Sequence, residues 1–100
     1  MNLSPLDSLP LINVPAGAVL ITQEQPLSGI YFLVSGEVEV LKNGVQVAEI
    51  YEPGAVFGEM SWLLDVPPTA TVRTLTGCTF RHVPDPSTFL RTYPEVTLHV

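Results

Sequence analysis

The sequence predicts an all-β domain, a jelly-roll-like β-roll (a double-stranded β-helix) with short flanking helices. Three observations carry that expectation. Apolar residues make up 46% of the 100-residue chain and charged residues 14%, a balance that supplies a packed core and excludes disorder. Ten prolines and seven glycines break the chain into segments of strand length. Several of those segments are joined by dipeptides that favour tight turns, the pattern of a small barrel or roll.

In chain order, Ser4-Pro5 is compatible with one opening helical turn. "AVLIT" (18–22) and "GIYFLV" (29–34) are apolar runs of strand length. "EVEVL" (37–41) alternates with period two, and Asn43-Gly44 is a type I′ hairpin signal ahead of "VQVAEI" (45–50). Residues 58–64 place apolar side chains at Met60, Leu63 and Leu64, a helical stripe cut off before Pro67. "TATVRTL" (69–75), a Thr76-Gly77 turn and "CTFRHV" (78–83) read as a second strand pair. Asp85 as N-cap and Pro86 at the first helical position open a helix that Pro94 ends, and residues 95–100 begin another.

The same composition excludes several functions. One hundred residues make one domain, 1–100, and the longest apolar runs are far too short to span a membrane. The N-terminus has neither a basic start nor an apolar stretch of signal-peptide type. The lone cysteine, Cys78, cannot form an internal disulfide and reads as a small core residue. These features place the chain in the cytoplasm. Net charge is −6 and the only cations are Lys42, Arg73, Arg81 and Arg91, too few to neutralise a run of phosphates, so direct nucleic-acid binding is not expected. His82 and His99 stand far apart without metal-ligand spacing, and no nucleophile–base set or paired carboxylates stand out, so neither a metal site nor catalytic residues are expected.

The chemistry concentrates in "GAVFGEMSWLLDVPPTATVRT" (54–74). A glycine entering a helix leaves the N–H groups of Glu59, Met60 and Ser61 without intrahelical acceptors, and Gly58 admits a ligand close to that backbone. A carboxylate at Glu59 repels bare phosphate but accepts well from sugar hydroxyls. Together these demands describe a ligand with a phosphate and a ribose. Thr69 and Thr71, on one face of the following strand, can donate hydroxyl bonds to it. Glu59 is also favourable for the helix dipole alone, and threonines are ordinary strand residues. Trp62 is a candidate to stack on a base, although packing or an interface is the commoner use of such a residue.

At these residues "IYFLVSGEVEVLKNG", "EPGAVFGEM" and "PPTATV" resemble the cyclic-nucleotide-binding domain. That family is the β-roll sensor of catabolite-activator (Crp/Fnr-type) transcription factors, cyclic-nucleotide-dependent kinases and gated channels. The resemblance extends over roughly the whole chain, with family glycines at Gly17, Gly36 and Gly54. Its phosphate-binding cassette falls on 57–72: Phe57, Gly58, Glu59, Met60, Ser61, Trp62 and Leu63, then Pro67, Thr69, Ala70, Thr71 and Val72. It implies that Glu59 holds the ribose 2′-hydroxyl, that the Gly58–Ser61 backbone and Thr69 touch the cyclic phosphate, and that the ligand is cyclic AMP or cyclic GMP. A threonine at 69 is also what guanine-preferring members use.

Two positions depart from the family. Pro68 stands where the family places its phosphate-pairing arginine, and proline offers neither charge nor backbone donor. Glu24 stands in the loop where the family usually turns on glycine, a departure expected to bear on the loop rather than on the ligand. Arg73 shares strand parity with Thr69 and Thr71 and is the one nearby substitute cation, although a solvated arginine or a surface salt bridge is the commoner fate. The expectation is therefore a regulatory sensor with a degenerate cassette, binding weakly or binding another small ligand, and signalling through protein contacts. The alternative is a working cyclic AMP or cyclic GMP receptor of a Crp/Fnr-type regulator. Family members continue into a long lid or dimer helix. Ending at Val100, this chain is expected to have that helix truncated or missing, with self-association or a protein partner covering the apolar surface left exposed.

Overall fold

A computed structural model of the chain describes residues 9–84. Within them the elements are β1 (Leu11–Val14), β2 (Val19–Ile21), β3 (Ile30–Ser35), β4 (Val38–Lys42), β5 (Val45–Ile50), β6 (Val56–Phe57), α1 (Glu59–Leu64), β7 (Thr71–Thr74) and β8 (Cys78–Val83). They form two four-stranded antiparallel sheets, ordered β1-β8-β3-β6 and β2-β7-β4-β5. The chain passes back and forth between the sheets, which is the roll the sequence predicts. The Ser4-Pro5 turn, the helix over 85–94, the segment 95–100, Arg91 and His99 lie outside the described residues.

The inner faces of the two sheets bury Ile21, Tyr31, Leu33, Val38, Phe57, Val72, Cys78 and Phe80 in one core. Phe80 is wholly buried, with Tyr31 and Phe57 edge-on to it at ring-centroid distances of 5.9 and 6.5 Å. A second cluster of Ile30, Phe32 and Val83, joined by Leu9 and Val56, buries the opposite face of the first sheet. This is why "IYFLV" is continuously apolar: β3 is covered on both faces, so period-two alternation is absent. Gly29, just before β3, has φ +129, and a Cβ there would collide with the Val83 carbonyl at the end of β8. The close approach of those two strands therefore requires glycine.

Asn43 and Gly44 take φ 53 and 81, as a type I′ turn demands, and close the β4–β5 hairpin with Lys42 opposite Val45. Thr74 ties the turn between β1 and β2 to the second sheet. Its buried hydroxyl donates to the Pro15 carbonyl at 2.6 Å and accepts from the Ala18 N–H at 2.9 Å.

One expectation needs correction, and two features go beyond the sequence reading. β7 and β8 are not paired with each other, since β7 lies between β2 and β4 and β8 between β1 and β3. The Thr76-Gly77 turn carries the chain from one sheet to the other, and Gly77 lacks the positive φ of a hairpin turn. Strands β1 and β6 were not anticipated. One is interrupted by Asn13 and the other is only two residues long, so neither has a readable period. Lastly, the Met60–Leu63–Leu64 stripe points outward, with 53%, 47% and 62% of each residue exposed. Strand β6 delivers Phe57 to the core and Gly58 turns the chain at once, so the buried position on α1 falls to Glu59.

This packing sets an expectation for stability. Phe80→Ala should lower the unfolding free energy by about 3–5 kcal/mol in urea titrations. Val47→Ala, at a residue 59% exposed, should change it by less than about 0.5 kcal/mol.

Candidate functional site

The two halves of the 57–72 segment hang from different sheets. Strand β6 pairs with β3, Tyr31 opposite Phe57, and hands the chain to Gly58, the N-cap of α1, in a left-handed conformation (φ 94). A Cβ at Gly58 would stand 3.2 Å from Ile21 Cδ1 and 3.3 Å from the Gly29 carbonyl oxygen, so side-chain volume is resisted there as well. Helix α1 spans six residues. Its end is a Schellman arrangement, with Asp65 (φ 54) donating to the Trp62 carbonyl and Val66 to the Ser61 carbonyl. The second half joins the other sheet. Thr69 and Ala70 form a bend, and Thr71 starts β7, paired there with Leu41 of β4.

Glu59 is the buried residue of α1, 3% exposed, and its Oε2 has no hydrogen-bond partner. Burial pushes its carboxyl above the usual glutamate range. A buried, unsatisfied carboxylate oxygen is costly to keep and is relieved by any hydroxyl or N–H donor brought to it. Met60 is exposed, Ser61 half-buried, Thr69 exposed and Ala70 half-buried. The Thr71 hydroxyl oxygen already accepts from the Gln23 N–H at 3.0 Å, so it holds the β2–β3 loop.

Pro68 is buried, and its carbonyl accepts from the Glu24 N–H at 2.8 Å. Beside it opens a cavity of about 620 Å³ between the β2–β3 loop and α1, lined in part by Glu24, Ser61, Trp62, Asp65 and Pro68. Of the site residues expected from the sequence, only Ser61 reaches this wall. Gly58, Glu59, Met60, Thr69, Ala70 and Thr71 do not line it. Glu24, expected to matter to the loop alone, both holds the loop conformation (φ 68) and lines the cavity with Pro68. Asp65 was not singled out at all. Its only sequence signal was its place between a short helix and two prolines.

Arg73 lies elsewhere, paired across β7 and β4 with Glu39. Its guanidinium forms a salt bridge to the Glu39 carboxylate and its Nε donates to Glu39 Oε2 at 2.7 Å, while Gln46 donates to Oε1 at 3.0 Å. The Arg73 hydrogen bond holds the Glu39 carboxyl below the usual range, against the opposing effect of desolvation. Arg73 is thus committed to the sheet rather than to the cassette. Arg81 donates to the Leu9 carbonyl at 2.8 Å. Among the described residues no group of three or more His, Cys, Asp or Glu is arranged to hold a metal, and no helix is long and apolar enough to cross a membrane.

The two buried acids have opposite consequences for pH. Glu39, with its lowered value, stabilises the fold at neutral pH and loses that contribution as pH falls through its folded value. Glu59, with its raised value, favours the fold when protonated. Its contribution is full below about 4.5 and is lost as pH rises through the raised folded value. Glu59→Gln should therefore raise Tm at neutral pH, and the difference from the native chain should vanish in acid. Thermal melts across the pH range check this.

Comparison with known proteins bears on the same segment. The cyclic nucleotide-binding domain family matches residues 11–91. The cAMP-dependent protein kinase regulatory subunit of Aspergillus niger is 39% identical over 67 residues, which cover 66% of this chain and 16% of that protein. The chain thus spans only about a sixth of the length of that relative. The catabolite activator protein of Thermus thermophilus has the same fold, with a TM-score of 0.76 at 23% identity, covering 93% of this chain and 46% of that one. A regulatory subunit of a cAMP-independent protein kinase A from Trypanosoma cruzi, solved bound to guanosine, gives a TM-score of 0.71 at 22% identity, covering 77% and 28%. The two-sheet roll, the cassette between its sheets and the family match lead to one conclusion: the chain belongs to the cyclic nucleotide-binding domain family.

Proposed function

We propose that this domain is a non-catalytic regulatory sensor with a degenerate cassette, one that keeps the ribose acceptor and lacks the phosphate cation. The observation that carries this reading is Pro68. By its resemblance to the family it stands at the arginine position, it is buried, and among the described residues no lysine or arginine lines the cavity beside it. A charge-assisted hydrogen bond contributes about 1.5–3 kcal/mol net. Its absence weakens a phosphate ligand by about 10- to 100-fold. Glu59 retains what a ribose needs, a carboxylate oxygen without another partner. The guanosine-bound Trypanosoma cruzi relative supports a nucleoside-type ligand for a domain of this fold. Signalling through protein contacts is supported by the exposed Met60, Leu63, Leu64 and Val66 around the cassette helix.

The second reading is a working cyclic-nucleotide receptor, favoured by the 39% identity to a cAMP-dependent kinase subunit. In it the Gly58–Ser61 backbone and Thr69 hold the phosphate without an arginine. Calorimetry with cyclic AMP and cyclic GMP separates the two. Tight binding abolished by Glu59→Ala would overturn the first reading, and no heat at high ligand concentration would overturn the second. Pro68→Arg keeps the backbone carbonyl that receives Glu24 and adds the missing cation. It should raise cyclic-nucleotide affinity by about 10- to 100-fold. A gain below about threefold would mean that the arginine was not the limiting defect.

A further inference from the structure

The two halves of the 57–72 segment hang from different sheets, and the β2–β3 loop (22–29) is fastened to both. At its near end it meets the second sheet. The Gln23 N–H donates to the Thr71 hydroxyl oxygen at 3.0 Å and the Glu24 N–H to the Pro68 carbonyl at 2.8 Å. Pro67 and Pro68 have no N–H, so the backbone of each can be held only through its carbonyl. At its far end the loop meets the first sheet. Leu27 packs against the core, the Ser28 and Tyr31 hydroxyls are hydrogen-bonded at 3.0 Å, and Gly29 abuts the Val83 carbonyl. The Gly29 carbonyl also backs Gly58, where it limits side-chain volume at the start of α1.

One side chain fixes the near end. Gln23 bonds Asn43, at the tip of the β4–β5 hairpin, in both directions. Its Nε2 donates to Asn43 Oδ1 at 2.8 Å, and its Oε1 accepts from the Asn43 N–H at 2.8 Å. A backbone N–H can only donate, so Oε1 faces it and Nε2 faces Oδ1, which leaves the Gln23 amide one orientation. Strand β7 lies between β2 and β4, with Val72 opposite Ile21 and Thr71 opposite Leu41. Gln23 and Asn43 each stand two residues beyond those partners. By register their bridge therefore spans the end of β7 at the level of Thr69 and Ala70, where the 57–72 segment enters the second sheet. The hairpin is already closed by its own type I′ turn, whereas residues 22–29 belong to no strand or helix. What the bridge fixes is the loop.

Resting on the reading of 57–72 as a ligand cassette, we infer that Gln23 is a positioning residue of that cassette: its side chain fastens the β2–β3 loop to the β4–β5 hairpin, and the loop in turn holds the Pro68 half in place relative to α1.

Amide hydrogen exchange of the full chain, followed by NMR, tests this without any ligand. In Gln23→Ala the Glu24 amide, bonded to Pro68, and the Trp62 and Val66 amides of α1 should exchange faster by about fivefold or more. Core amides such as Leu33 and Phe80 should keep their native rates. Asn43→Gly preserves the turn and removes only the Oδ1 acceptor, so it should quicken the same amides to a smaller extent. Asn43→Asp keeps that acceptor and should retain native rates. Unchanged exchange in α1, a uniform rise that includes the core, or an Asn43→Asp chain that behaves like Asn43→Gly overturns the inference. None of these outcomes counts against the cassette reading, which calorimetry decides. Silence of both the native chain and Pro68→Arg towards cyclic nucleotides and nucleosides removes that reading, and with it the ligand role of the bridge, whatever exchange shows.

Discussion

The rest of the structure depends on the pairing of β3 with β8. Strand β8 is flanked by β1 and β3, and its Phe80 is wholly buried where the two sheets meet. The pairing is close enough that only glycine fits at position 29, against the Val83 carbonyl. Strand β3 then carries β6, and β6 carries Gly58 and Glu59. The other half of the cassette hangs from the second sheet, through Thr71 on β7. The distance between the two halves is therefore set by how the sheets stack, so core packing reaches the 57–72 segment through that distance.

Two acids withdrawn from water are treated differently by the fold. Glu39 is 5% exposed and fully engaged, by Arg73 of β7 on one side and by Gln46 of β5 on the other. Glu59 is 3% exposed and leaves an oxygen without a partner. The first belongs to a sheet held by an ion pair of the ordinary structural kind. The second is a local cost that the core around it must offset. The same contrast assigns the cations. Among the described residues, Arg73 and Arg81 serve the sheets, and the wall beside Pro68 carries Glu24 and Asp65.

Much of this was legible in the sequence, for reasons that differ between elements. The β4–β5 hairpin was readable because Asn43 and Gly44 are among the few residue types that tolerate two consecutive positive φ values. The cassette was readable as a motif because its glycine, acid and threonines each answer a separate geometric demand. The β7–β8 pairing was misread because a turn dipeptide reports that the chain reverses and not which sheet receives it. The exposure of Met60, Leu63 and Leu64 was also hidden. In a helix of six residues the apolar period is too short to indicate which side faces inward.

By itself the sequence determined the architecture: strand-length segments, one short helix stopped before a proline pair, an acid at Glu59 on its first turn and a proline at 68. These follow from local constraints such as chain stiffness, turn chemistry and residue charge, which act over a few neighbours. Only the tertiary structure decided that Arg73 is taken by Glu39, that Glu59 Oε2 is left without a partner, and that Glu24 and Asp65 share a wall with Pro68. Glu39 and Arg73, or Glu24 and Pro68, lie more than thirty residues apart. Such pairs meet only because two stacked sheets bring distant strands and loops together, and no local pattern in the chain encodes that proximity.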